Sequence, residues 1–212
     1  VLEIFYFDSL PSTHKYICEL VKEKKDCSSL LVYADEQTQG VGSRGNRWQS
    51  TKGNLHVSMC VHMKHLPNDL PLVSVSIYAG MILKEIFHSW GSKVWLKWPN
   101  DFYIKKVKIG GIMTLKTGDF FIISMGVNLR SCAPEYGILD VQKNPKECID
   151  ALASVWQAPP SWKNIFSKYK LEFQHSRMFA SHSEGEAISL KNAVLCEDGS
   201  LLLGNKKVYS LR

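Results

Sequence analysis

Lys97-Trp98-Pro99-Asn100-Asp101 sets a cation, a large flat apolar ring, a rigid turn former, an amide and a carboxylate side by side. Lys108-Ile109-Gly110-Gly111 follows at short range. Such a stretch is poorly suited to a plain core strand. Pro99 holds Trp98 in extended backbone and stops strand pairing there, which leaves Asn100 and Asp101 on a turn. A carboxylate at that place could hold magnesium, and a lysine there could meet a phosphate as a point charge. Taken alone, an ordinary Pro-Asn-Asp turn with an exposed lysine has the same composition. Lys108 falls at the start of a strand that carries Gly110 and Gly111, and glycines inside a strand mark the close approach of a ligand or another backbone. If Lys108 points inward it needs an anionic partner, because an unpaired buried charge is costly. If it points outward it is a hairpin lysine beside Lys105 and Lys106.

A second polar stretch lies upstream, running from Glu36 to Trp48. Gln37, Thr38 and Gln39 offer hydrogen-bond donors and acceptors. Gly40, Gly42 and Gly45 let the backbone come close to a partner. Arg44 and Arg47 add positive charge, Ser43 a hydroxyl, and Trp48 a stacking face. The pattern is neither a P-loop nor a dinucleotide fingerprint, because no Lys-Ser or Lys-Thr follows and the loop leads into a strand. A loop of this length is usually functional or disordered. No G-x-S-x-G and no H-E-x-x-H occurs, so the hydrolytic constellations that those motifs announce are missing. Two segments that each present cations, glycines and a tryptophan suit the joining or transfer of anions.

The elements that must position these residues can be read from spacing. Ser12 after Pro11 caps a helix to about Lys25, with Ile17, Leu20 and Val21 on one face. Leu30 to Ala34 reads as a buried strand. Leu55, Val57, Met59, Val61 and Met63 alternate with polar residues, the pattern of a half-buried strand. Pro71 to Trp90 is apolar almost all round, so it reads as a buried helix that Gly91 ends. Strands are expected over Val94–Trp98, Lys108–Leu115 and Phe120–Leu129, the last apolar on both faces and therefore central. Helices are expected over Pro145–Gln157, capped by Asn144, and Ser161–Phe179. Ala187–Lys191, Val194–Cys196, Leu201–Leu203 and Val208–Leu211 read as short strands, with Asp198-Gly199 as a hairpin turn. This order argues for an α+β domain with a mixed, mostly antiparallel sheet. It divides into a main domain over residues 1–180 and a small C-terminal β module over 181–212, too short to hold a core alone.

At 212 residues, 45% hydrophobic and 22% charged, the chain has the composition of an ordinary globular protein with one good core. No apolar run is long enough for a membrane helix, and the N-terminus shows no secretory pattern. The six cysteines are dispersed without a C-x-x-C pair, which speaks against a zinc site or a disulfide framework and for a reduced, cytoplasmic protein. The net charge of +6 is spread along the chain, with no basic block or helix-turn-helix signal. It suits an anionic nucleotide or an acidic protein partner.

In the quoted segments the chain resembles the bacterial biotin protein ligases of the minimal kind. The resemblance runs from Ser12 to the C-terminal strands. It is carried by Ser12-Thr13, Gln37-Thr38-x-Gly40, the loop ending in Trp48, Lys97–Asp101, Lys108-x-x-Gly111-Ile112 and Gly126-Val127-Asn128. It implies a class II synthetase-like catalytic domain with an SH3-like C-terminal module. The implied reaction activates biotin with ATP and Mg2+ as biotinyl-5′-AMP, releases pyrophosphate, and transfers biotin to one lysine of a biotin carboxyl carrier protein, a subunit of acetyl-CoA carboxylase. Ser12, Thr13 and Gln37 are then expected on the biotin ureido ring, with Gly40, Gly42, Ser43, Gly110 and Gly111 lining the biotin slot. Lys108 is expected to bridge the biotin carboxylate and the phosphate, and Arg44 to serve both biotin and phosphate. Trp48 and Asn128 are expected at the adenine, Lys97 and Asn100 near the triphosphate, and Asp101 at the metal. The loop departs from the family's usual Gly-Arg-Gly-Arg-x-Gly-Arg, since Val41, Ser43 and Asn46 stand at arginine positions. His14 stands where the family has Asn and is given no catalytic role. The implied state is a cytoplasmic monomer or homodimer with no operator-binding domain and no membrane contact. The rival readings are a lipoate protein ligase and a non-catalytic module that binds biotin or its adenylate.

Overall fold

The computed structural model describes residues 2–23, 27, 29–183 and 186–209. Among them a seven-stranded sheet runs in the order β1-β2-β3-β7-β6-β5-β4. Its strands are β1 (Glu3–Leu10), β2 (Ser29–Gln37), β3 (Leu55–His62), β4 (Trp95–Lys97), β5 (Asp101–Ile104), β6 (Val107–Thr117) and β7 (Phe120–Val127). Every neighbouring pair is antiparallel except β1 with β2. β7 lies in the middle, as its two apolar faces demand.

Helices cover both faces. α2 (Val75–Ser89) is buried along most of its length and packs with β3, β6 and β7 into the main core. α3 (Pro145–Gln157) and α4 (Trp162–Ser176) lie beyond it. α1 (Thr13–Lys22) covers the opposite face, where Ile17 meets Val32, Cys60 and Ile122. This second cover corrects the half-buried reading of β3. Its polar residues His56 and Ser58 are 1% and 0% exposed. The polar alternation was real, but those side chains are covered, Ser58 by Thr13 of α1.

Three strands escaped the sequence reading. β1 sits at the sheet edge with Ile4, Phe5 and Tyr6 exposed, so no alternating burial marks it. β5 begins at Asp101 itself, which pairs with Lys97 on β4 and Gly111 on β6. Asp101 is therefore a strand residue and only Asn100 belongs to the turn. The third is β8 (Ala180–Ser183), which pairs with β9 (Glu186–Ser189). A separate three-stranded sheet holds β10 (Val194–Leu195), β11 (Leu201–Leu203) and β12 (Lys206–Val208). The last strand thus lies earlier than expected, and residues 210–212 are outside the described set.

The C-terminal strands share the main core through Leu190, Ala193, Leu201 and Val208. Trp98 ties them to the Lys97–Asp101 block. It is 1% exposed, its Nε1–H donates to the Gly199 carbonyl at 3.0 Å, and its backbone N–H donates to Ser176 Oγ at 3.0 Å. No described helix is long and apolar enough to cross a membrane.

Candidate functional site

Where α1 begins and β2, β5, β6 and β7 come together, a cleft of about 400 Å³ opens. That volume lies within the usual range for small-molecule sites. One end is charged. Lys108 Nζ lies 2.6 Å from Asp101 Oδ1 with both side chains partly exposed, so this pair faces the cleft and not the protein interior. Asn100 stands beside them, its Nδ2 donating to the Ile112 carbonyl. Gly111 keeps this end open, because a Cβ there would come 3.2 Å from Asp101 Oδ1.

The other end is neutral and hydrogen-bonded. Ser12 caps α1, accepting from the Lys15 N–H. That cap turns the helix start toward β2, where the Thr13 N–H donates to Gln37 Oε1 at 2.9 Å. Thr13 Oγ1 is 2.8 Å from Ser58 Oγ, and Ser58 donates to Ser124 Oγ at 2.8 Å. His14 Nδ1 lies 2.9 Å from the same Ser124 oxygen. Burial lowers the proton affinity of His14, so its ring is neutral near neutral pH. Among these residues Thr13, His14, Gln37 and Ser124 line the cleft.

The polar loop closes one side. Val41 and Arg47 form an isolated antiparallel bridge, and a short 3-10 turn spans Ser43–Gly45. Gly42 and Ser43 line the cleft. The Arg44 side chain lies outside the described residues. Gly40 does not line the cleft; its hydrogen atom points at the loop's own return, where a Cβ would meet the Trp48 carbonyl at 2.5 Å. Trp48 lies flat on the sheet. A Cβ on Gly126 would come within 2.8 Å of Trp48 Nε1, and the ring stands 6.0 Å from that of Tyr136. Trp48 Nε1 is buried without a hydrogen-bond partner.

On the far side of Trp48 and Tyr136 a second cavity of about 670 Å³ reaches Asn128 and Cys132. Asn128 is held there by its Nδ2 donating to the Gly137 carbonyl at 3.1 Å. Gln37, Arg47, Trp48 and Tyr136 line both cavities, so the two act as one bent slot.

Of the other expected residues, Ser12 and Gly110 do not line the cleft. Ser12 acts through the helix start it caps. Gly110 packs against backbone, where a Cβ would meet the Gly126 carbonyl at 2.5 Å. Lys97 is also outside the lining. Its ammonium lies 5.5 Å from the Tyr103 ring centroid and 5.6 Å from that of Phe179. Burial pushes its pKa down, Asp101 works the other way, and Lys108 adds to the lowering.

Sequence reading missed Ser124 and Tyr136, and passed over His14. A lone serine inside the apolar run of β7 was the available signal for the first. Tyr136 follows β7 in a loop with no pattern to announce it. Among the described residues no group of three His, Cys, Asp or Glu could hold a metal, so a magnesium ion would need the phosphates of a nucleotide beside Asp101, a donor set that suits it.

Residues 6–129 match the biotin/lipoate A/B protein ligase family. The chain is 33% identical over 127 residues to the bifunctional ligase/repressor BirA of Escherichia coli, an alignment that covers 57% of this chain and 38% of that protein. It thus spans about two fifths of the length of that relative. Biotin acetyl coenzyme A carboxylase synthetase from Helicobacter pylori, solved with bound biotinylated ATP, superposes with a TM-score of 0.93 at 36% identity, over 99% of this chain and 100% of that one. Biotin protein ligase from Aquifex aeolicus, solved with biotin and ATP, gives a TM-score of 0.70 at 20% identity over 99% and 96% of the two chains, a likeness of fold.

Proposed function

The chain belongs to the biotin/lipoate A/B protein ligase family, and we propose that it works there as a biotin protein ligase. The observation that carries this reading is the polarity of the slot. A cation–carboxylate pair stands at one end and a neutral hydroxyl–amide cluster at the other. That is the complement of an acid whose far end is a neutral hydrogen-bonding ring, and biotin, with its valerate carboxylate and ureido head, is such an acid. The cavity beyond Trp48, with Asn128 at its wall, takes the adenine of ATP.

In the first step a biotin carboxylate oxygen attacks the α-phosphorus of ATP. A carboxylate–phosphorus bond forms, the bond to the β-phosphate bridging oxygen breaks, and pyrophosphate leaves. Two anions must meet, so cations and backbone N–H groups have to offset their repulsion. Lys108 lies where it can bridge both, exchanging its contact with Asp101 for the incoming carboxylate and phosphate. Asn100, Gly42 and Ser43 line the same cleft. Arg44, one residue further along the turn, serves the phosphate. Asp101, together with triphosphate oxygens, would hold a Mg2+ ion, which would offset phosphate charge. Trp48 and the loop around it cover the mixed anhydride and keep water from it. In the second step the amine of an acceptor lysine, on a biotin carboxyl carrier domain, attacks the biotinyl carbonyl and AMP leaves.

Adding biotin to the protein with Mg2+ and ATP should release pyrophosphate. Binding of biotin without any pyrophosphate would replace the catalytic reading with that of a binding module.

A further inference from the structure

The hydrogens around Ser124 can be assigned in order. Ser58 gives its one hydroxyl hydrogen to Ser124 Oγ. Thr13 Oγ1 lies 2.8 Å from Ser58 Oγ and 3.2 Å from Gln37 Oε1, so its one hydrogen is shared between those two acceptors. His14 Nε2 lies 3.5 Å from Cys18 Sγ on the next turn of α1. Burial raises the Cys18 pKa and keeps the thiol protonated, so it has a hydrogen to give to that nitrogen. With the thiol hydrogen on Nε2, the ring carries its own hydrogen on Nδ1 and donates it to Ser124 at 2.9 Å. Ser124 Oγ then accepts from both His14 and Ser58. Its own hydrogen has one direction left, the cleft that Ser124 lines.

We infer that Ser124 is a specificity-determining donor that reads the head of the acid, and that His14, held by Cys18, is the positioning residue that aims it. The inference rests on the ligase reading above. A ureido head brings a carbonyl oxygen and ring nitrogens to this wall. A dithiolane head, as in lipoate, brings only weakly accepting sulfur. Facing the dithiolane, the aimed hydroxyl loses its hydrogen bond to water without a replacement, and sites built around such donors reject ligands that lack the acceptor. The chain Thr13–Ser58–Ser124–His14–Cys18 thus selects biotin over lipoate within a family that handles both.

Calorimetric titration of the whole protein with biotin and with lipoate tests this, using wild type, Ser124→Ala and Ser124→Cys. Both variants should lose roughly 3- to 10-fold in biotin affinity, the worth of one neutral hydrogen bond, and keep or improve their lipoate affinity. Nitrogen NMR of His14 supplies the readout for aiming. The wild type should show the Nδ1–H tautomer, and Cys18→Ala should move the ring toward Nε2–H and weaken biotin in parallel. Unchanged biotin affinity in both Ser124 variants, equal losses for the two acids, or an Nε2–H tautomer in the wild type would overturn the inference. A wild type that binds biotin while Ser124→Ala binds it equally well defeats this inference alone. A wild type that binds neither acid defeats the ligase reading with it.

Discussion

Lys108 and Asp101 decide the chemistry of the cleft, and their 2.6 Å contact sets what each substitution should do. Without a ligand the pair holds itself. In the proposed reaction, Lys108 becomes the cation between two anions. Lys108→Ala should cut adenylate formation by ~100-fold or more, the loss typical of a preorganised charge-stabilising group, as measured by pyrophosphate release. It should leave folding nearly unchanged, since both side chains are partly exposed and such pairs add little stability. Arg44→Ala should lower the same rate, and an unchanged rate would remove Arg44 from the phosphate. Lys108 beside paired glycines could be read as inward or as a hairpin lysine, and the structure turns it to the cleft. Lys97 was read as a candidate phosphate contact, and the structure sets its ammonium near Tyr103 and Phe179. Lys97 pairs with Asp101 from the edge strand β4, whereas Lys108 comes from β6 beside the cleft. Ser124 was hidden because a single serine in an apolar strand carries no motif.

Two glycines of neighbouring strands show how elements divide the work. Gly110 on β6 lies one register position from Gly126 on β7, which pairs with Gly111. A Cβ on Gly110 strikes the Gly126 carbonyl at 2.5 Å, whereas a Cβ on Gly126 strikes the Trp48 ring at 2.8 Å. Backbone cannot yield cheaply and a loop side chain can. Gly110→Ala should therefore destabilise the protein by about 1–3 kcal/mol, as overpacking does, readable in urea unfolding. Gly126→Ala should leave unfolding nearly unchanged and lower kcat/KM for ATP by roughly 10- to 100-fold, because the stacking plate is displaced. Equal effects of the two substitutions on unfolding would contradict this division. Elements with a full apolar period, α2, β3 and β7, were legible in type and nearly in extent. β1 was not, because its edge position leaves Phe5 and Tyr6 exposed and erases the alternation. β5 was hidden by its shortness and by a turn composition that runs up to its first residue.

At the scale of the whole molecule, α1 and α2 cover the sheet from both sides, and β3, an inner strand, carries the buried His56. Its ring is 1% exposed, and burial pushes its pKa from 6.5 down to about 4. Between those values the unfolded chain takes up a proton that the folded chain refuses. Stability is therefore full above pH 6.5 and falls as pH drops toward 4, by roughly 3 kcal/mol in total from this residue. His14, lowered for the same reason, acts in the same direction. Urea unfolding at neutral and mildly acid pH should show the loss, and His56→Gln should flatten it. The joining of the middle of the chain to its C-terminal strands through Trp98 and Gly199 was not legible, because no local pattern records which distant carbonyl an indole will meet. The central claim concerns what passes through the slot, and the mass of an acceptor tests it most directly. Whole protein would be incubated with Mg2+, ATP, an apo biotin carboxyl carrier domain and either biotin or lipoate, and the intact carrier weighed. The account predicts a gain of one biotinyl group on one lysine, abolished by Lys108→Ala. A carrier unchanged with biotin, or modified with lipoate alone, would contradict it.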